Sequence, residues 1–218
     1  NTDHLNFPEL YFFIPKYLIA VKNGKAEVLI GDDAVLNEIN DFKIEESEST
    51  GQLNIERRLS KTAYLNKVEK LKEHIIRGDI YEVNFCQEFF AENAKINPVE
   101  TFGLLNDISP TPFAGFLKVN EHYILSATPE RFLAKRGSKL ISQPIKGTAR
   151  RSADSKEDEQ IKIQLRNDVK EQSENVMIVD LVRHDLTKSA VKGSVKVEEL
   201  FGIYSFPQVH QMISTITC

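Results

Sequence analysis

Short apolar runs parted by tight-turn residues constrain this chain most, because a tight two-residue turn returns a strand antiparallel beside itself. Asn23-Gly24 follows the runs Tyr11 to Ile14 and Tyr17 to Val21 and predicts a hairpin. Asn120-Glu121 parts predicted strands near Phe113–Val119 and Tyr123–Ser126, and Gly137 parts one around Arg131–Lys135 from the run Leu140-Ile141. Tyr81 to Gln87 alternates with period two, as in a strand with one polar face. Two stretches are helical instead. Tyr64, Val68, Leu71 and Ile75 recur at helical spacing over 61–77, with Gly78 placed as a C-cap. The pattern over 157–185 is helical but interrupted. Residues 31–60, acidic around Glu45 to Glu48, read as a connector, and Asn106 to Pro112 as a turn-rich stretch. Val195 to Thr217 predicts a short strand, a turn near Gly202 and Pro207, and the opening of another element. The fold class expected is α+β with antiparallel sheet, divided into a hairpin region and connector at 1–58 and a larger domain at 59–218.

Composition excludes some functions. With 41% apolar and 28% charged residues in 218, the chain has the makeup of an ordinary globular protein. A formal charge of -4 gives no electrostatic reason to expect nucleic acid or an acidic membrane as partner. No apolar run is long enough to cross a bilayer, and Asn1-Thr2-Asp3-His4 opens no targeting signal. Two cysteines, Cys86 and Cys218, fit a reducing compartment, so a cytoplasmic setting is expected.

Four clusters carry groups that could do chemistry. In Ser142 to Arg151, a lysine stands beside Gly147 and Thr148 in what reads as a turn after Leu140-Ile141. Glycine permits close approach to the backbone, and Lys146 supplies either a point charge or, if desolvated, a nucleophilic amine. Glu171 and Glu174, three apart on one helical face, could serve a divalent ion or a base. Arg183 stands between Asp180 and Asp185, and His210 lies among apolar residues. Each also has a plainer reading: a solvated turn, a charged helix face, a buried ion-pair network and a core histidine. Glu130-Arg131-Phe132 is equally open.

The order of these blocks resembles the chorismate-utilising enzymes. Gly78-Asp79-Ile80-Tyr81-Glu82-Val83-Asn84-Phe85-Cys86-Gln87, Ser126-Ala127-Thr128-Pro129-Glu130-Arg131-Phe132 and Pro144-Ile145-Lys146-Gly147-Thr148 follow the family's sequence of motifs. So do Lys170 to Leu186, Gly193-Ser194-Val195 and Val209-His210-Gln211-Met212-Ile213-Ser214. The similarity runs from about residue 60 to the end, and more loosely through Tyr11 to Leu18. It implies an anthranilate-synthase-like chorismate-binding fold, with antiparallel sheets packed together, flanking helices and a site in the cleft. It also implies that Gly147 and Thr148 contact chorismate, that Glu174 is a magnesium ligand with Glu171 beside it, and that His210 lies in the active site as a catalytic residue with Lys146. Glu130, Arg183 and Asp185 support the site. The family's Arg-Asn-Asp is Arg183-His184-Asp185 here, and Glu82 replaces a commoner glutamine. The chain is expected to be the N-terminal portion of the catalytic domain, inactive alone, with the second magnesium glutamate in the absent C-terminal portion.

Lys146 separates the family's branches. Anthranilate synthases typically carry alanine there. In the aminodeoxychorismate type the lysine attacks ring carbon 2 as the 4-hydroxyl leaves, and ammonia then adds at carbon 4 and expels the lysine. A free lysine has a pKa near 10.4, so attack near neutral pH requires its neutral form to be favoured by burial or a nearby cation. Isochorismate synthases typically carry a glutamate at the position of Gln143 and a general-base lysine near Glu82. Neutral Gln143 cannot donate a proton as a carboxylic acid does. The resemblance therefore implies amination of chorismate with ammonia to 4-amino-4-deoxychorismate, for para-aminobenzoate and folate biosynthesis. Magnesium is the implied cofactor and a glutamine amidotransferase subunit the implied partner. Anthranilate synthase and a non-catalytic chorismate-binding fragment are the rival readings.

Overall fold

The Asn23-Gly24 turn forms because both residues adopt left-handed backbone, with φ of 52° and 71°. It joins β1 (Leu18–Lys22) to β2 (Lys25–Ile30) in an antiparallel hairpin. The computed structural model describes residues 5–43 and 53–218. The acidic stretch Glu45 to Glu48 lies outside the described residues. Contacts divide the chain into two units, 1–97 and 98–218, whereas the sequence changes character near residue 58.

In the first unit, α1 (Ala34–Asp41) corrects the expectation of a plain connector. Val35, Leu36 and Ile39 give it an apolar side over barely two turns, too few for a clear period, and Val35 is buried. α2 (Lys61–Arg77) follows β3 (Glu56–Arg57), with the Ser60 hydroxyl accepting from the Ala63 N–H at 3.2 Å. Past its last turn, Gly78 adopts φ 79°. Its N–H reaches Ile75 O and that of Asp79 reaches His74 O, the Schellman pattern. The strand expected over residues 81–87 forms no ladder. Its inward residues find other partners: Phe85 stacks on Tyr64 with centroids 5.0 Å apart, and Gln87 Nε2 donates to Leu59 O at 2.9 Å. Only β4 (Phe89–Phe90) pairs, with β3.

The second unit opens with α3 (Pro98–Ile108), which carries helix into the stretch expected to be turn. Proline suits a first helical turn, where its missing N–H would find no partner anyway. β5 (Gly115–Val119) and β6 (His122–Ser126) pair across Asn120-Glu121. β7 (Arg131–Arg136) and β8 (Lys139–Gln143) pair across the turn at Gly137, whose φ is 61°. β9 (Ile145–Arg150) corrects the turn expected at Pro144 to Thr148. β8 and β9 run successively along one edge of β11 (Val209–Thr217). Pro144 offers no N–H to that ladder, yet its carbonyl still accepts from the Ser214 N–H at 3.3 Å.

α4 (Ser155–Asn167) and α5 (Val169–Thr187) explain the interrupted helical pattern. Asp168 between them has ψ 113°, and its carboxylate accepts from the Glu171 N–H at 3.0 Å, capping α5. β10 (Lys196–Ser205) is longer than expected. Gly202 makes an irregularity within it rather than a turn, beside Phe201 at φ 59°, and the chain reverses at Phe206 to Gln208. The five-stranded sheet runs β10-β11-β8-β7, with β9 also on β11. β11 is its buried spine: Met212, Ser214 and Ile216 are fully enclosed, and Val179 and Leu186 of α5 cluster with Ile216.

Candidate active site

The Lys146-Gly147 pair is a β-bulge. Thr148 pairs with Gln211 and Ile145 with Ile213, so two residues of β9 stand opposite Met212 alone. Such a bulge bends the strand and re-aims its side chains. Gly147 takes φ 97°, which only glycine adopts readily. Its bare Cα also makes room for a helix. A Cβ there would lie 3.2 Å from both Glu171 Oε2 and Met212 Cβ. Gly147 thus seats Glu171 against the sheet, a role that sequence alone does not assign it.

Asn175, one turn beyond Glu171 on the same helix, fixes the bulge. Completely buried on α5, it directs Nδ2 to the carbonyls of Lys146 at 3.4 Å and Met212 at 3.5 Å. Its Oδ1 accepts from the Ser214 hydroxyl at 2.5 Å, and Ser214 Oγ accepts from the Phe201 N–H at 3.1 Å. One amide therefore ties α5 to β9, β11 and β10. Both residues fall inside the quoted motifs, but nothing in their type distinguishes them from neighbouring polar positions.

Two carboxylates meet at the start of α5. Lys170 Nζ lies 3.1 Å from Glu171 Oε1 and 2.8 Å from Glu174 Oε1, and these pairings, Glu174 first, raise the lysine pKa. The two acids that sequence assigns to a metal thus converge on one cation. Among the described residues no group of three or more His, Cys, Asp or Glu could hold a metal ion. Two carboxylates nevertheless fit magnesium, a hard cation that commonly takes one or two protein carboxylates and fills its shell with water and substrate oxygens.

Glu130 approaches the bulge from β7's entry, its Oε1 accepting from the Ile145 N–H at 3.4 Å. Glu130 and Asp185 line one recess of about 570 Å³ with Thr128, Ser142 and Pro144. Arg183 stays apart: it is exposed and bonds Asp180 at 2.8 Å, while Asp185 pairs with Lys188, which lowers its pKa. Arg183 and Asp180 pair in the open, so the buried network considered for Arg183 does not form among the described residues. Gln143 accepts from Arg131 Nε at 2.9 Å and donates to Thr215 Oγ1 at 3.1 Å, a neutral bridge between strands. Thr148 is exposed.

His210 is not in the open. Fully buried, it donates from Nε2 to Asp158 Oδ1 at 2.9 Å, and its Nδ1 accepts from the Ser205 hydroxyl at 2.8 Å. Asp158 also takes Arg151 Nε at 2.9 Å and Nη2 at 2.8 Å, and the Ser152 N–H at 2.9 Å. Arg151 is therefore an ion-pair partner rather than a solvated turn residue. The Arg151 guanidinium, above all, holds the Asp158 carboxyl well below the usual carboxylate range, against the opposing effect of burial.

The antiparallel fold agrees with the comparisons. The family model described as chorismate binding enzyme matches residues 1–218, and the chain belongs to that family. It is 41% identical over 159 residues to aminodeoxychorismate synthase component 1 of Escherichia coli (strain K12), covering 73% of this chain and 35% of that protein. It is 37% identical over 157 residues to anthranilate synthase component 1 of Bacillus subtilis (strain 168), covering 72% and 30%. Among solved structures, anthranilate synthase component I from Streptococcus pneumoniae TIGR4 superposes with a TM-score of 0.83 at 23% identity, covering 99% of this chain and 51% of that one. The menaquinone-specific isochorismate synthase of Escherichia coli gives 0.71 at 18%, covering 93% and 50%. These likenesses establish the chorismate-binding fold. The chain spans about a third of the length of these curated relatives.

Gly147→Ala should cost about 1–2 kcal/mol of stability from the left-handed backbone alone, read as a lowered urea midpoint; an unchanged midpoint would contradict the bulge. Asp158 contributes stability that is fully present above the unfolded carboxylate pKa of about 3.9 and is lost as pH falls from there toward its depressed value. Asp158→Asn should therefore be less stable than the parent near neutrality and lose less on acidification. Parallel stability curves below pH 5 would refute this.

Proposed function

We propose that the protein, in its full natural length, aminates chorismate with ammonia to give 4-amino-4-deoxychorismate, on the route to para-aminobenzoate and folate. The observation that carries this reading is Lys146 itself, in a bulge fixed by Asn175 beside Glu130 and the two acids of α5. The similarity to aminodeoxychorismate synthase supports the same choice.

In this reading Lys146 Nζ, through its lone pair, bonds ring carbon 2 while both ring double bonds shift toward carbon 4 and the 4-hydroxyl departs as water with a proton drawn from solvent. Ammonia bonds carbon 4, both double bonds return, the bond from carbon 2 to Nζ breaks so that Lys146 leaves as the neutral amine, and the new ammonium at carbon 4 sheds its surplus proton to solvent. Glu130, whose Oε1 accepts from the Ile145 N–H on the lysine's strand, serves the departing oxygen in this reading. Thr148 and the backbone around Gly147 hold the substrate, and Glu174 with Glu171 would hold magnesium. The ion, when bound, supplies positive charge against the substrate carboxylate. Lys170 must then yield the carboxylates it now bridges. A glutamine amidotransferase subunit is the proposed ammonia source, and the cytoplasm the proposed setting. Similarity to anthranilate synthase supports a second reading, in which ammonia attacks the ring without a lysine adduct and anthranilate is formed.

Chorismate, ammonium and magnesium incubated with the full-length protein and its Lys146→Ala variant separate the two by chromatography and mass. 4-Amino-4-deoxychorismate is expected, with turnover falling about 10²–10⁴-fold in the variant, the range typical of losing a group that takes part in the reaction. Anthranilate, or a variant as active as the parent, would refute the lysine mechanism.

A further inference from the structure

We propose that His210 is a positioning residue that sets where β9 presents Thr148, and that it takes no part in proton transfer; the link to substrate rests on the function proposed above. His210 pairs with Ala149 across the β9–β11 ladder, next to the Gln211–Thr148 pair. Facing residues of an antiparallel pair share one side of the sheet and successive residues alternate. The His210 ring therefore points away from the side that carries Thr148 and Gln211.

The ring's own bonds explain what it does there. Nε2–H is spent on Asp158 of α4 and Nδ1 on Ser205 of β10, with no part of the residue exposed. Asp158 in turn grips the chain as it leaves β9, through the Arg151 side chain and the Ser152 N–H. Arg151 Nη1 donates to Phe206 O at 2.8 Å, and its backbone N–H reaches Gln208 O at 3.4 Å, at the turn into β11. The end of β9 and the start of β11 are thereby clamped together three residues from Thr148. A ring proton on Nε2 satisfies both bonds, donated to the Asp158 carboxylate while Nδ1 accepts the Ser205 hydroxyl, so both ring nitrogens are taken up by the fold.

Two substitutions divide the ring's contacts. His210→Gln can still offer an amide N–H near the Nε2 position, whereas His210→Asn is too short to reach Asp158. In the full-length protein, His210→Gln should keep kcat and both limbs of its pH profile, with chorismate KM near the parent's. His210→Asn should raise chorismate KM by about tenfold, with a smaller change in kcat and an unshifted pH profile. Amide hydrogen exchange over residues 147–150 should quicken in His210→Asn and stay slow in His210→Gln. A pH limb lost in His210→Gln, with kcat down about a hundredfold, would make the histidine a proton donor or base and overturn the proposal. Unchanged exchange in His210→Asn would overturn it as well. Exchange reads the clamp whatever the substrate, while turnover by the parent reads the functional assignment, so the two can fail separately.

Discussion

A single buried amide, Asn175, holds the helix, the bulge and the spine of the sheet in one arrangement. Its donors face the Lys146 and Met212 carbonyls and its oxygen takes the Ser214 hydroxyl, with Asn175, Met212 and Ser214 themselves fully buried. A buried amide left without partners costs about 1–3 kcal/mol, so α5 cannot slide along the sheet without breaking several bonds together. Apolar packing of Val179 and Leu186 on Ile216 presses the helix down, but such contacts are non-directional. Asn175 supplies the register.

That register places chemistry at two levels. Toward the start of α5, Gly147 gives way to Glu171, and Glu171 and Glu174 share Lys170. Farther along β9, Arg151, Asp158 and His210 form a closed network that leaves no group waiting for a ligand. The ion pairs of Lys170 near the bulge are partly exposed, whereas Asp158 and His210 at the strand end are enclosed. Electrostatics thus separates a site from its support, although both contain the same residue types.

Much of this was legible in the chain. Asn23-Gly24 and Asn120-Glu121 specify hairpins through turn chemistry alone, and the spacing from Tyr64 to Ile75, closed by Gly78, specifies α2. Those signals are local. The failures were long-range or brief. Tyr81 to Gln87 has a strand's alternation but packs on α2, and α1 is too short to show a period. Pro144 and Gly147 look like turn residues until β11 is found beside them, because pairing with a strand some 65 residues later leaves no local mark. The motifs name Lys146, Glu171 and Glu174; the fold sets Glu171 against the bulge that carries Lys146 and joins Glu171 to Glu174 through Lys170. They could not reveal that His210 faces inward, since one residue's shift along a strand reverses the side it faces.

A double-mutant cycle on Asn175→Ala and Ser214→Ala, followed by urea unfolding, tests most directly whether this buried pair sets the arrangement. Residues that work as a unit should show a coupling energy of about 1–2 kcal/mol, within the range found for residues in one hydrogen-bond network. Additive losses, with coupling near zero, would mean that apolar packing alone seats α5 on the sheet, contradicting the role assigned to Asn175.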